Sequence, residues 1–354
     1  MQPRPYSSKS SIENFEGCEM KYFYEYNLKY RGGAGLRTVM GSAVHAVMEC
    51  LGDLKKAHQD GEKTVETEFG EMSTAGLLDN PRTLSDEEID KINHGRRNKS
   101  TYVDRCDLEY GIVRENEDLI NELMELAFQK YLKSFDDEGK MKPADRRDYE
   151  NFVWMTLEKL DPRKENVFAV EKEFDLPILE DWAILPTGEY LRIKGFVDLI
   201  TEPEDGVLYI YDYKTGARKD WNTGDKKTYD KIKTDLQLRM YHYAMSQIYP
   251  DKYILCNLFY IRDGGMFSVC FDDTSKEILY QDLKTHVQKV TSCEQPKLLD
   301  PTRKNFKCRL FCPAYKNKNF DVNLCDCQFL SSAIKELGID KVQDLYKNPE
   351  AFKV

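Results

Sequence analysis

The chain has 354 residues and a mass of 41.4 kDa, enough for one large domain or two ordinary ones with a buried core. Hydrophobic residues make up 41% and charged residues 32%, and no apolar stretch approaches the roughly 20 residues that span a bilayer. Residues 1–11 lack the basic-then-apolar order of a secretory signal. We therefore expect a cytoplasmic globular protein without a membrane partner.

The net charge of −10 is unevenly distributed along the chain. Residues 50–138 hold 22 acidic and 12 basic residues, which accounts for the whole net charge. Residues 297–318 carry seven bases and one acid, and residues 213–239 carry eight bases and four acids. Because clustered Lys and Arg bind nucleic-acid phosphates, local basic surfaces keep a nucleic-acid partner open, with solvated charged faces as the alternative.

The N-terminal half is predicted to be helical because its apolar residues recur at helical spacing. Residues 57–113 are polar and show no clear strand periodicity, so they predict a mostly helical insertion. The predicted helices of this half are 10–30, 38–56, 119–135 and 149–160.

The pattern changes near residue 166, where runs rich in β-branched and aromatic residues alternate with turn signals. The first three runs predict a strand meander, and a helix, a hairpin and a further helix follow. The predicted strands are 167–174, 191–200, 207–213, 253–262 and 266–271, and the predicted helices are 230–249, 275–290 and 330–337.

These elements divide the chain into four segments that differ in composition and predicted structure. They are 1–56, with N-terminal helices carrying Cys18 and His45; 57–165, a mostly helical acidic insertion; 166–295, an α/β core; and 296–354, a basic, cysteine-bearing C-terminal segment.

Two carboxylates and a lysine converge on neighbouring strands of the predicted sheet. Asp212 and Lys214 lie two apart on one strand, so their side chains leave the same face, and Asp198 can reach that place from the preceding strand. Converging carboxylates repel each other, and a hard divalent cation relieves the repulsion. A lysine beside such a metal can orient a water or stabilise charge on a phosphate.

This set fits metal-assisted phosphodiester hydrolysis. The alternative is a solvent-facing charge pair on an amphipathic strand. The apolar run 207–211 argues against that alternative, because it indicates a buried strand whose end holds the charges.

Four motifs together resemble the PD-(D/E)xK nucleases, in particular their RecB-like branch. Two form the core signature of the family, one resembles a motif of an N-terminal helix, and one resembles a motif of the helix after the core. In the family's order they are Gly41-Ser-Ala-Val-His45, Gly195-Phe-Val-Asp198, Asp212-Tyr-Lys-Thr-Gly216 and Gln237-Leu-Arg-Met-Tyr241.

The resemblance implies an α/β fold with a restriction-endonuclease-like core, in which helices flank a mixed central sheet. It implies that His45, Asp198 and Asp212 bind one or two Mg²⁺ or Mn²⁺ ions, with the Tyr213 carbonyl as a further ligand. It also implies that Lys214 acts on the attacking nucleophile.

Two further groups of residues have open roles at this stage. Gln237 and Tyr241 share one helical face, which in the resembling family lies against the active site and DNA; a packing or hydrogen-bonded pair is the alternative. Glu171 on the strand before the core is a candidate to orient the site. Glu173 points to the same side of a regular strand, so the sequence does not separate the two.

The clustered cysteines predict a second inorganic site. Cys308, Cys312, Cys325 and Cys327 could supply four thiolates to one zinc ion. The other interpretation rests on AddB-type and CRISPR-associated nucleases, which the chain resembles in having one cysteine on an N-terminal helix and three near the C-terminus. That resemblance implies a 4Fe-4S cluster held by Cys18, Cys308, Cys312 and either Cys325 or Cys327.

We therefore interpret the chain as a metal-dependent DNA nuclease, and as an exonuclease at DNA ends in recombination, repair or phage replication. The alternatives are a catalytically silent DNA-binding or assembly module and a zinc-stabilised RNA nuclease. These 354 residues contain no P-loop, so unwinding of DNA by ATP hydrolysis would need a helicase or another replication or recombination protein as partner.

Overall fold

The computed structural model describes most of the chain. The described residues are 1, 3–30, 34–96, 99, 102, 113–219, 224–263, 265–299, 308, 312 and 326–347. Among them, no helix combines the length and the apolar composition needed to cross a membrane.

The strands form one large mixed sheet and two small ones. In the large sheet β1 pairs in parallel with β7, β7 lies antiparallel to β8, β8 parallel to β9 and β9 antiparallel to β10, while β6 also pairs with β7. The strands are β1 (Tyr6–Ser7), β2 (Thr64–Thr67), β3 (Gly70–Ser73), β4 (Arg82–Thr83), β5 (Val113–Arg114), β6 (Val167–Pro177), β7 (Arg192–Glu204), β8 (Val207–Lys214), β9 (Tyr253–Tyr260) and β10 (Gly265–Val269).

The helices confirm the predicted α/β class. Two π-helical turns, Phe23–Asn27 and Phe128–Leu132, follow α2 and α5 without interruption. The α-helices are α1 (Lys9–Gly17), α2 (Glu19–Tyr22), α3 (Leu36–Gln59), α4 (Asp86–Gly95), α5 (Glu117–Ala127), α6 (Lys133–Asp137), α7 (Pro143–Leu157), α8 (Tyr229–Lys233), α9 (Leu236–Ile248), α10 (Asp273–Thr291), α11 (Asp326–Leu337) and α12 (Ile339–Lys347).

The chain forms two compact units, each drawn from separate stretches of sequence. Unit 1 comprises Met1–Gly35, Phe174–Gly195 and Asp272–Val354, and unit 2 comprises Leu36–Glu173 and Phe196–Phe271. The four predicted segments follow composition along the chain, whereas these units follow contacts in space. The sequence-based boundaries therefore stay a prediction about segments rather than about folding units.

Unit 2 is built around α3, whose apolar residues recur every three or four positions and are buried along most of the helix. The helix packs closely on the sheet: a Cβ added at Gly52 would lie 2.8 Å from Val170 Cγ2 on β6. The rest of this core comes from α5, α7 and the sheet, with Leu51, Ile120, Val153 and Phe259 among its buried residues.

Unit 1 has its own apolar core, in which aromatic residues of the N-terminal helices meet the C-terminal helices. Its buried side chains are Met1, Phe15, Met20, Tyr22, Phe23, Tyr24, Val290, Cys312, Leu330, Ile334 and Val342.

Three predicted elements are wrong in detail. The predicted helix 10–30 breaks at Cys18, whose extended backbone ends α1 and whose sulfur caps α2. The predicted helix 230–249 is two helices, because Asp235 ends the first segment and caps the N-terminus of α9. The polar residues 57–113 contain the hairpin β2–β3 as well as helix, since its four-residue strands are too short to show a period.

The close approach at Gly52 predicts a stability effect opposite to helix propensity. Gly52→Ala favours a helix intrinsically, but the clash with Val170 should lower the free energy of unfolding by about 1–3 kcal/mol, the usual cost of overpacking. Chemical denaturation measures this change. In a Val170→Ala background, Gly52→Ala should become neutral or stabilising. Gly17→Ala in α1 should also be neutral or stabilising, because no atom lies within 4 Å of the added Cβ.

Candidate metal and active site

The antiparallel pair β7–β8 brings two acidic residues to one end of the sheet. Leu199 pairs with Tyr211, so continuing this register by one residue places Asp198 next to Asp212. Asp198 Oδ2 accepts the backbone N–H of Tyr213 at 2.6 Å, in place of a ladder hydrogen bond. The side chain of Asp198 is therefore held at the point where the pairing of these strands ends.

His45 reaches this strand end from α3. Its Nε2 lies 3.0 Å from the Tyr213 carbonyl oxygen, and its Nδ1 lies 3.6 Å from Asp198 Oδ2. One turn earlier on the helix, a Cβ added at Gly41 would lie 2.8 Å from Thr215 Oγ1. The glycine of the predicted motif is thus explained physically, because it lets α3 approach the end of β8 closely enough for His45 to reach it.

Glu171 completes a group with His45 and Asp198. One possible ligand atom from each of the three side chains lies within 4.8 Å of the others, and this is the one such group found among the described residues. The backbone of Glu171 has φ +40°, which is rare for a residue with a side chain and interrupts the alternation of β6. Glu173 two residues on is exposed, so the structure separates the two glutamates.

Asp212 and Lys214 form a second group at the same strand end. Lys214 Nζ lies 2.5 Å from Asp212 Oδ2 and donates a hydrogen bond to Gln237 Oε1 at 3.0 Å. Gln237 Nε2 lies 2.5 Å from the Tyr241 hydroxyl, which in turn donates to Asp212 Oδ1 at 3.3 Å. The face of α9 that carries Gln237 and Tyr241 therefore holds both the lysine and the carboxylate.

The carboxylates of the site are poorly solvated and repel one another. Burial raises the pKa of Asp198 to about 6; the charge of His45 opposes this shift and that of Asp212 adds to it. Burial, with the charges of Asp198 and Glu49, raises the pKa of Glu171 to about 8. Desolvation works against the charged form of Lys214, but Asp212 and Asp198 outweigh it and raise its pKa.

Further acidic residues continue the site along α3. Glu49 and Asp53 follow His45 at four-residue intervals and so share its helical face. Burial, with the charge of Glu68, raises the pKa of Glu49 to about 7 and that of Asp53 to about 6. Glu68 is paired with Lys130 at 2.8 Å and accepts the Tyr131 hydroxyl at 2.6 Å.

The residues present fit a divalent cation. His45, Glu171 and Asp198 offer ligand atoms within 4.8 Å of one another. Burial, with the charges of the neighbouring carboxylates, raises the pKa of Glu171 to about 8, so without a cation this carboxyl keeps its proton at neutral pH. Neighbouring oxygen and nitrogen ligands in an octahedral shell of about 2.1 Å radius stand about 3 Å apart. The separation of His45 Nε2 and the Tyr213 carbonyl oxygen matches that spacing.

The sequence-based ligand set is thus brought together only in part. His45, Asp198 and the Tyr213 carbonyl meet in one place, and Glu171 joins them. Asp212 lies beside them but outside the three-residue group, and Lys214 holds its carboxylate. The sequence does not distinguish Glu171 from Glu173, because the residue types around Glu171 do not reveal the unusual φ angle that sets its direction.

The cysteines predicted to hold a second group lie in unit 1. Cys18, Cys312 and Cys327 pack in its apolar core, and Cys312 N–H donates to the Cys308 carbonyl at 3.3 Å. Cys18 Sγ accepts the backbone N–H of Lys21 at 3.4 Å. Cys325 lies outside the described residues.

Cys293, which is not among the cysteines predicted to bind a metal or cluster, packs in the same core. Its thiol donates to Glu19 Oε2 at 3.5 Å. Burial and the Glu19 charge raise its pKa to about 11. Cys293 is thus a protonated thiol hydrogen-bonded to Glu19 in this structure.

The sequence profile of the PD-(D/E)XK nuclease superfamily matches residues 6–105 and 111–328, which is nearly the whole chain. The chain belongs to the PD-(D/E)XK nuclease superfamily. The match includes Asp198, Asp212 and Lys214. No curated protein matches the chain.

The raised pKa of Glu171 predicts how stability responds to pH and metal. Its folded-state pKa of about 8 exceeds the ordinary value of 4.5, so between these values the unfolded chain releases a proton that the folded chain keeps. The metal-free protein should therefore lose stability as pH rises from 5 to 8. Mn²⁺ should raise the melting temperature more at pH 8 than at pH 5, because it binds the deprotonated carboxylate.

Glu171→Gln should flatten the pH dependence measured in EDTA and reduce the Mn²⁺ effect at pH 8. Glu173→Gln is the matched control, since it removes an exposed carboxylate two residues away on β6. Equal behaviour of the two variants would contradict the assignment of Glu171 to the metal site.

Proposed function

We propose that the protein is a divalent-metal-dependent deoxyribonuclease that removes nucleotides from DNA ends. The observation that carries this proposal is the convergence of His45, Glu171 and Asp198 beside the Asp212–Lys214 pair in a chain of the PD-(D/E)XK superfamily. When bound, Mg²⁺ or Mn²⁺ lowers the pKa of a coordinated water and offsets the charge of the scissile phosphate.

The residues of the chain have separable tasks in this proposal. His45, Asp198, Glu171 and the Tyr213 carbonyl hold the cation, and Asp212 is the further carboxylate ligand. Tyr241 and Gln237 orient Asp212 and Lys214 through the hydrogen bonds described above. Since both side chains come from one face of α9, a shift of this helix would disturb the carboxylate and the lysine together.

Lys214 acts as a cation in this proposal. Asp212 and Asp198 raise its pKa above the ordinary value, which favours the protonated ammonium form. An ammonium group in a poorly solvated site can stabilise the charge that develops on a phosphate or orient the attacking water. We assign it this electrostatic task.

DNA ends are the proposed substrate for three reasons. The superfamily consists of nucleases, the motifs resemble the RecB-like branch, and a basic stretch of chain adjoins the site whereas the insertion is acidic. An acidic insertion beside the site would limit which strands enter. We place the activity in recombination, repair or phage replication, with a helicase or another replication protein as partner.

We also propose that unit 1 holds a 4Fe-4S cluster through Cys18, Cys308, Cys312 and either Cys325 or Cys327. The apolar surroundings of Cys18, Cys312 and Cys327 support this, as does the backbone N–H that Cys18 Sγ accepts, since such bonds stabilise cluster sulfurs. Such a cluster would join the N-terminal helices to the C-terminal segment.

Zinc is the less favoured occupant. The preference for iron–sulfur rests on the resemblance of the cysteine pattern to that of the AddB-type and CRISPR-associated nucleases, with one cysteine on an N-terminal helix and three near the C-terminus.

The nuclease proposal predicts Mg²⁺-dependent loss of an end-labelled linear DNA, with a closed circular DNA resistant under the same conditions. Asp212→Asn should lower the rate by at least about 100-fold, because it removes a charge at the metal and the partner of Lys214. Asp205→Asn is the control, since this exposed carboxylate lies in the turn at the other end of β8.

Degradation of the circle at the rate of the linear DNA would replace the exonuclease assignment with an endonuclease. Full activity of Asp212→Asn would remove the proposed catalytic site. No degradation of any DNA, with RNA degraded instead, would favour the zinc-stabilised RNA nuclease if the protein also contained zinc.

The cluster proposal predicts that protein purified without oxygen is brown, with visible absorbance and about four iron atoms per chain. Cys18→Ser should lose the colour and the iron. Cys270→Ser should keep both, because this exposed cysteine in unit 2 plays no part in the predicted site. Colourless wild-type protein with one zinc per chain would contradict the proposal.

A further inference from the structure

The chain between β8 and α9, which we call the β8–α9 loop, includes the short helix α8, and its two ends meet at the candidate active site. Lys214 is the last residue of β8 and Gln237 lies in the first turn of α9, and a hydrogen bond of 3.0 Å joins their side chains. Both ends of this loop therefore adjoin the site. Residues 220–223 lie outside the described part of the chain.

The described parts of this loop are fixed to the sheet. Arg218 donates its backbone N–H to Asp263 Oδ2 at 2.9 Å and its guanidinium to the Lys227 carbonyl at 3.1 Å, and it lies over the Phe267 ring. An antiparallel bridge pairs Lys219 with Lys226. The described residues on either side of 220–223 are thus held next to each other and to the sheet.

Four exposed lysines line the described parts of this loop: Lys219, Lys226, Lys231 and Lys233, which we call the basic rim. Lys226 lies 3.6 Å from Asp263 and Lys233 lies 3.9 Å from Asp230, so both ion pairs are long. Both ammonium groups are exposed to solvent, which makes these pairs weak. A phosphate backbone could displace these pairings at small cost.

Tyr229 stands among these lysines with an exposed ring. Its hydroxyl donates to the Ser268 carbonyl at 2.7 Å, which fixes the ring although 43% of the residue is exposed. The ammonium of Lys233 lies 4.6 Å from the ring centroid. A large aromatic side chain held in solvent by its hydroxyl, with cations beside it, is the arrangement on which proteins stack unpaired bases.

We propose that Tyr229 and the basic rim form a guide for single-stranded DNA that leads to the active site. Phosphates lie along the lysines and one base stacks on Tyr229. This inference deepens the proposed nuclease function and rests on it for the identity of the ligand. The ligand has to be single-stranded DNA, because a base inside a duplex cannot reach the ring of Tyr229.

Because of its charge, this loop is a better path for single-stranded DNA than the other described surfaces of unit 2. The insertion contributes the whole net charge of −10 and would repel a phosphate backbone, whereas the loop carries more bases than acids. The carboxylates at the active site would repel a phosphate, so a cation has to bind there before a phosphate can enter. Along the chain, Lys219 and Lys233 of the basic rim are the described exposed basic residues nearest to Lys214 and Gln237.

The test is a binding assay in a background that cannot cleave. Asp212→Asn protein in EDTA is titrated into a labelled single-stranded oligonucleotide and into the same sequence as a duplex, at several salt concentrations. The variants are Tyr229→Ala, Tyr229→Phe and a combined Lys→Gln change at all four rim lysines. Lys252→Gln and Tyr253→Ala are the controls, because both residues lie at the opposite end of the sheet.

Tyr229→Ala should weaken single-strand binding about 5- to 150-fold, the range measured for loss of one stacked base, and should change duplex binding much less. Tyr229→Phe keeps the ring and should retain most of the affinity. The lysine variant should reduce the slope of log K against log salt by about 0.7 for each phosphate that the protein no longer neutralises. The controls should stay within about twofold of the parent.

Two results would overturn the guide. One is single-strand affinity unchanged in Tyr229→Ala, or reduced equally for single strand and duplex. The other is an unchanged salt slope in the lysine variant. Melting temperatures of all variants, measured alongside, identify any that fail to fold. If Tyr229→Ala fails to fold, the salt slope of the lysine variant decides the test. Expected binding by a wild-type protein that cleaves no DNA would support the guide while refuting the proposed nuclease.

Discussion

Carboxylates from α3, β6, β7 and β8 are concentrated at one poorly solvated end of a sheet, and the rest of the site follows from the need to offset their charge. Burial and mutual repulsion raise the pKa values of Asp198 and Glu171 to about 6 and about 8. The described side chains supply one close cation, Lys214, and it is bound to Asp212. The fold therefore leaves a deficit of positive charge beside His45, which a divalent metal would fill.

Close backbone approach makes this concentration of charge possible. Gly41 lets α3 come near Thr215, and Gly52 lets the same helix lie against Val170, so His45 between them reaches the end of β8. The apolar face of α3 stabilises this position through the core of unit 2, with Val44, Val47 and Leu51 fully buried. The stability of the core and the geometry of the site thus depend on one helix.

The network on α9 links the catalytic group to the loop that precedes it. Gln237 and Tyr241 hold Lys214 and Asp212, and the loop that ends at Gln237 carries the basic rim. If a DNA strand binds along that loop, it enters the site at Gln237, which orients Lys214. Substrate binding and positioning of the charged groups would then act on the same element.

The sequence by itself determined the α/β class and the five strands β6 to β10 to within a few residues. It also gave His45, Asp198, Asp212, Lys214, Gln237 and Tyr241 as candidate site residues, because four motifs in order resemble those of the PD-(D/E)xK nucleases. Tertiary structure alone decided which of these residues meet. The positive φ angle of Glu171 sets one of two candidate glutamates apart, and this residue joins His45 and Asp198. Asp212 lies outside that group and forms an ion pair with Lys214. The breaks at Cys18 and Asp235 were likewise invisible to periodicity, because a single capping side chain causes each of them. Residue types fix which contacts are chemically favourable, whereas the packing of helix against sheet fixes which of the favourable contacts are within reach.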